Sequence, residues 1–189
     1  MDEAGGLFPP SMYYRFFERL AASMKPRLAV VLGVCGGGDC WHLAKGNPET
    51  KVIGVDITRD HPEQISFIEK NCPNFFFWEG DSVASAGAIR QAHGNPDFLF
   101  IDTTHFQDQT MAEWEAWKGR LAPGAVVAFD DIFRPGMQEF WDTLPEPKVR
   151  MDFLHDGTYP HGGGFGILIM PEAQGYAEAV KAPDYEIGN

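Results

Sequence analysis

Long apolar runs, basic residues and paired cysteines are all scarce in this chain. No stretch reaches the roughly 18 consecutive apolar residues that a membrane-spanning helix needs. The first ten residues are acidic and glycine-rich rather than a basic leader ahead of an apolar segment. The expectation is an unexported, cytoplasmic protein with no membrane partner. Lysine and arginine number 15 against 27 aspartates and glutamates, a formal charge of −12 with no basic cluster to offset it. That balance opposes attraction to a phosphate backbone, so nucleic-acid substrates are not expected. Three cysteines, Cys35, Cys40 and Cys72, are odd in number and form no C-x-x-C pair. Neither a disulfide framework nor a zinc ribbon is indicated, and the thiols are expected in or near the core.

What is present is enough apolar material, 44% of 189 residues, for one sizeable core. A single domain is expected over residues 1–189, with a helical extension over 1–26, a core over 27–171 and a tail over 172–189. In 11–24, Tyr13, Phe16, Phe17 and Leu20 fall at i, i+3, i+4 and i+7, the spacing of an amphipathic helix that Pro26 ends. Strand-like and helix-like segments then alternate: strands over 27–34, 51–57, 74–80, 96–102 and 124–132, helices over 38–46, 61–71, 82–94 and 111–121. A short helix over 136–144 and two further strands, 147–155 and 163–171, complete the pattern. Such alternation predicts an α/β fold, a mainly parallel, doubly wound sheet with helices on both faces.

In open parallel sheets ligands bind beyond the carboxyl ends of the strands. Here every such end is bare or acidic. The first is followed by glycine at four of the six positions 33–38; the others carry Asp56, then Gly80, Asp81 and Ser82, then Asp102, then Asp130 and Asp131. Glycines let a ligand approach the main chain, and the helix that follows offers unpaired N–H groups; a sharp strand-to-helix turn uses the same residues. No G-K-[ST] completes a P-loop. In the dinucleotide pattern G-x-G-x-x-G, Trp41 stands at the third glycine when counting from Gly36, and Cys35 at the second when counting from Gly33, which argues against an NAD-dependent oxidoreductase. Asp56, 20 residues past Gly36, can accept the hydroxyl protons of a ribose or cap a helix, and Asp81 and Ser82 can border an adenine ring or cap the next helix. Together they describe a nucleoside site without a phosphate reader.

The segments VVLGVCGGGDCWHLA, VIGVDI, EGDS, PDFLFIDTTH and LAPGAVVAFDDI, in that order over about residues 28–170, resemble the class I, Rossmann-like S-adenosylmethionine-dependent methyltransferases. The nearest likeness is to catechol and caffeoyl-CoA O-methyltransferases and to cephalosporin-hydroxylase-like enzymes. The resemblance implies a seven-stranded sheet with an antiparallel last strand. It implies S-adenosylmethionine laid across Gly33, Val34, Cys35, Gly36 and Gly38, with Asp56, Ile57, Asp81, Ser82 and Asp102 completing the cofactor site. One position departs from the pattern: the acidic residue usual two places before the first glycine is here Val31, which leaves Asp39 or main-chain carbonyls to receive the methionine amino group.

The resemblance further implies a divalent cation, Mg²⁺ by its hard oxygen donors, held by Asp102, Asp130 and Asp131. Without a cation, Asp102 and Asp131 would be read as helix caps. His105 stands three residues after Asp102, where the catechol enzymes place a lysine base, and with Asp102 it forms the expected catalytic pair. The function so implied is methyl transfer to a hydroxyl of a small-molecule acceptor. A metal-independent methyltransferase and a non-catalytic nucleoside-binding protein of the same fold are the alternatives. His155 and His161 are open to a substrate-rim role or to a place in a hairpin loop, most of the five tryptophans are assigned to the core, and the N-terminal stretch is either a lid or a homo-oligomer contact.

Overall fold

The run Leu28–Leu32, strand β1, is buried at every position, as a strand covered on both faces must be. Its side chains alternate between two cores. Ala29 and Val31 join one apolar cluster, while Leu28, Val30 and Leu32 join the other. The computed structural model describes residues 7–8, 12–151 and 163–172. His155, His161, most of the glycine-rich connection 156–164 and the tail beyond 172 lie outside the described residues.

Chain order is α1 (Met12–Met24), β1, α2 (Gly38–Gly46), β2 (Lys51–Asp56), α3 (Pro62–Asn71), β3 (Phe75–Glu79), α4 (Ser85–His93), β4 (Phe98–Ile101), α5 (Gln107–Lys118), β5 (Val126–Asp130), α6 (Met137–Thr143), β6 (Lys148–Arg150) and β7 (Phe165–Ile169). The strands form one seven-stranded sheet in the order β3-β2-β1-β4-β5-β7-β6. Pairing is parallel from β3 through β5, and β7 runs antiparallel to both its neighbours. One cluster collects α1, α2 and α3 on one face; the other collects α4, α5 and α6 on the opposite face. The doubly wound α/β architecture expected from the alternation is therefore present.

Strand order reverses between β1 and β4, and the crevice beyond their carboxyl ends is where such folds bind ligands. Helix α1 is part of the core. Phe17 and Ala21 are buried, and Phe17 meets Phe100 at 4.8 Å between ring centroids. Two helix starts differ from the sequence expectation. Helix α5 begins at Gln107 instead of 111, because its polar first turn gives no apolar period until Thr110 turns inward. Helix α4 begins at Ser85 instead of 82, because Asp81 Oδ1 accepts the amides of Val83 and Ala84 at 3.0 and 2.7 Å and holds 82–84 as a turn. Cys40 and Cys72 are buried as expected. Cys35 is exposed, since it lies in the loop beyond the carboxyl end of β1 with φ +46°.

Candidate active site

The glycine loop is built on Asp56. Its Oδ2 accepts the amides of Val34 and Cys35 at 2.8 and 3.2 Å, tying the end of β2 to the turn after β1. Gly33 has φ +84°, and a Cβ there would run into the carbonyl oxygen of Asp102. Only glycine lets the β1 and β4 loops touch at the switch point. Gly37 faces Ile65 and Ile68 of α3, Gly38 faces the ring of Tyr14, and Gly36 faces the side-chain amide of Gln64. The sequence pattern assigns the bare backbone to a ligand; on the Cβ sides of these glycines the structure fills it with neighbouring chain. Ile57, next to Asp56, is two-thirds exposed at the mouth.

At the end of β3, Asp81 is occupied with its turn, and Ser82 points inward. The Ser82 hydroxyl donates to Glu113 Oε1 at 2.6 Å, and its carbonyl accepts the indole N–H of Trp117 at 2.9 Å. Glu113 is fully buried and also accepts from Gln109 at 2.9 Å and from the Thr103 hydroxyl at 3.0 Å. Burial raises its carboxyl pKa, against the three hydrogen bonds that favour the ionised form. Glu113 thus joins the loops after β3 and β4 through α5. It is absent from the residues that sequence motifs single out, although Thr110, Glu113, Trp114 and Trp117 lie at i, i+3, i+4 and i+7 on the buried face.

Beyond β4 and β5 the chain gathers acids. Burial first, then Asp130, Asp39 and Asp131, raise Asp102 well above the usual carboxylate range, and Asp102 shares a hydrogen bond with Asp130. Asp39, in the first turn of α2, is buried, and burial together with Asp130 raises it to about 7. The buried phenol of Tyr13, brought in by α1, is pushed up by burial and by the charges of Asp102, Asp130 and Asp39. Nothing in the sequence marks this phenol for the site, because helical spacing assigns it to packing.

His105, with φ +54°, lies between two carboxylates: Nε2 is 3.6 Å from Asp102 Oδ1 and Nδ1 is 3.4 Å from Asp131 Oδ2. Burial lowers its pKa, Asp131 opposing and Arg134 reinforcing the shift, which favours a neutral imidazole. Asp131 Oδ2 also takes Arg134 Nε at 2.6 Å. Among the described residues, the ligand atoms that converge within 4.8 Å of one another come from Asp102, His105 and Asp130. Asp131, the third carboxylate of the expected set, is outside this group and is paired with Arg134. The converging set fits a divalent cation, since its carboxylates repel one another and its donors are oxygen and imidazole nitrogen. Such a mixed set suits Mn²⁺ or Zn²⁺ as well as Mg²⁺.

Comparison with known proteins bears on the family and the fold. The family model described as a methyltransferase domain matches residues 30–132, from β1 to the loop after β5. The chain belongs to this methyltransferase domain family. An O-methyltransferase from Bacillus cereus, solved in complex with S-adenosylhomocysteine, superposes with a TM-score of 0.70 at 20% identity, over 86% of this chain and 82% of that one. The O-methyltransferase TomG from Streptomyces achromogenes, involved in tomaymycin synthesis and solved with S-adenosylmethionine, gives 0.68 at 17% identity, over 87% and 82%. These likenesses are of fold. An uncharacterized protein from Sinorhizobium fredii is 23% identical over 179 residues, covering 86% of this chain but 19% of that protein. The chain therefore spans under a fifth of this relative. Among the described residues no helix is long and apolar enough to cross a membrane.

Proposed function

We propose that the protein transfers the methyl group of S-adenosylmethionine to a hydroxyl of a small molecule, assisted by a divalent cation. The observation that carries the reading is the meeting, at the β1/β4 switch point, of the Asp56-anchored loop with the cluster of Asp102, His105 and Asp130. In this reading the nucleoside lies along Gly33, Val34, Cys35, Gly36 and Gly38, with Asp56 toward the ribose and Ile57 against the base. Asp81 and Ser82 act through the shape of their turn, since their side chains are engaged within the chain.

A divalent cation, when bound, lowers the pKa of a coordinated substrate hydroxyl. Asp102 and Asp130 would hold it, and the neutral His105 stands beside them to accept the hydroxyl proton. The oxyanion then attacks the sulfonium methyl in line, the C–S bond breaks and S-adenosylhomocysteine leaves. The chain's contribution is orientation and charge stabilisation. Because His105 also falls within the converging set, a second reading makes it a ligand instead of the base.

Transfer of tritium from methyl-labelled S-adenosylmethionine to a panel of aromatic vicinal diols and monophenols tests the proposal. Label is expected in a diol product, lost with excess chelator and restored by Mg²⁺ or Mn²⁺. Undiminished transfer in chelator would remove the cation from the mechanism. In His105→Ala, activity lost with cation affinity kept marks the base, and loss of both marks the ligand.

A further inference from the structure

We infer that Asp39 is the anionic partner of the ammonium group on the cofactor's amino-acid arm, an assignment that rests on the S-adenosylmethionine reading. Asp39 lies in the first turn of α2, directly after the glycine loop, and is 8% exposed. Its Oδ1 has no hydrogen-bond partner among the described residues. Its electrostatic neighbours are the half-buried Asp130 and Asp102 and the phenol of Tyr13, whose oxygen is buried. Arg134 is engaged with Asp131 at 2.6 Å, and His105, a neutral imidazole by its lowered pKa, lies between Asp102 and Asp131 and brings no charge to the cluster.

A buried carboxylate with an unfilled oxygen is costly when ionised, and either a proton or a cation brought in from outside the chain relieves that cost. The proposed cofactor brings an ammonium group on the arm that follows its sulfonium. Val31, where an acid would otherwise stand, is wholly buried among apolar side chains in β1 and offers nothing to that group. Main-chain carbonyls are the other acceptors open to it. Those of Leu32 and Val34 already accept the amides of Asp102 and Gly37 at 2.9 and 2.7 Å. Among the described residues, Asp39 sets a buried carboxylate with an unfilled Oδ1 directly after the loop.

The test is calorimetric binding of S-adenosylhomocysteine and of its deamino analogue, in which hydrogen replaces the ammonium, to the full chain in chelator and again with Mg²⁺. Wild type should prefer S-adenosylhomocysteine by roughly tenfold or more, the worth of a hydrogen bond to a charged group. Asp39→Asn and Asp39→Ser should erase that preference while holding the deamino analogue within about twofold. An unchanged preference in both variants overturns the assignment and leaves the nucleoside reading standing. A variant effect seen only with Mg²⁺ also overturns it, giving Asp39 to the metal. Loss of both ligands in both variants overturns it too, making Asp39 a support of the pocket. Wild type that binds neither ligand fails the cofactor reading itself.

Discussion

Burial and the neighbouring Asp130 carboxylate raise Asp39 to about 7, so the group titrates near neutral pH instead of near 4. An acid whose folded pKa lies above its unfolded one binds its proton more tightly in the folded state. Its contribution to stability is whole below about pH 4 and is lost as the pH rises through 7. Asparagine carries no such dependence. Without ligand, Asp39→Asn should melt higher than wild type by roughly 5 °C at pH 8, with the gap shrinking toward pH 5. Thermal melts at the two pH values measure this, and an equal gap at both would show that the charge is not what costs stability. Single residues at strand ends are legible in the sequence itself, because Asp56, Asp102 and Asp130 each close an apolar run. The pairing of Asp131 is not, because its partner Arg134 sits in a loop whose path no periodicity predicts.

At the scale of elements, α5 couples the two loops that border the site. Its Glu113 receives hydrogen bonds from Ser82, Gln109 and Thr103. Glu113→Gln keeps the shape but exchanges one acceptor oxygen for a donor, so at least one of these hydroxyl or amide groups loses its acceptor. The expected loss is roughly 1–3 kcal/mol, read as a lower urea midpoint with an unchanged slope. A variant as stable as wild type would mean that the loops hold their positions without this link. The helix is visible in the sequence through Trp114, Trp117 and Leu121, but its start is not. A polar first turn carries no apolar period, and Glu113 reads as a solvated charge until the strand-end loops are known to cover it. Helix α1 is visible too, from the spacing of Tyr13, Phe16, Phe17 and Leu20. Its place against Phe98, Phe100 and Phe165 follows from long-range packing, to which local spacing is blind.

Across the whole molecule, the order β3-β2-β1-β4-β5-β7-β6 puts the ends of β1 and β4 side by side at the reversal. The alternation of strands and helices makes the α/β class legible, and the family resemblance supplies the seven strands and the antiparallel β7. Which glycine meets which neighbour is not legible, since that depends on how α1 and α3 close over the loop. The formal charge of −12 also favours a cationic sulfonium cofactor over an anionic dinucleotide. The most direct measurement is calorimetric titration of the full chain with S-adenosylmethionine and with NAD, in wild type and in Asp56→Asn, which retains an oxygen for the loop amides but loses the charge proposed to face the ribose. The account predicts saturable binding of S-adenosylmethionine, weakened roughly tenfold or more by the substitution, and no heat from NAD. Equal binding of NAD, or S-adenosylmethionine binding indifferent to Asp56, would contradict it.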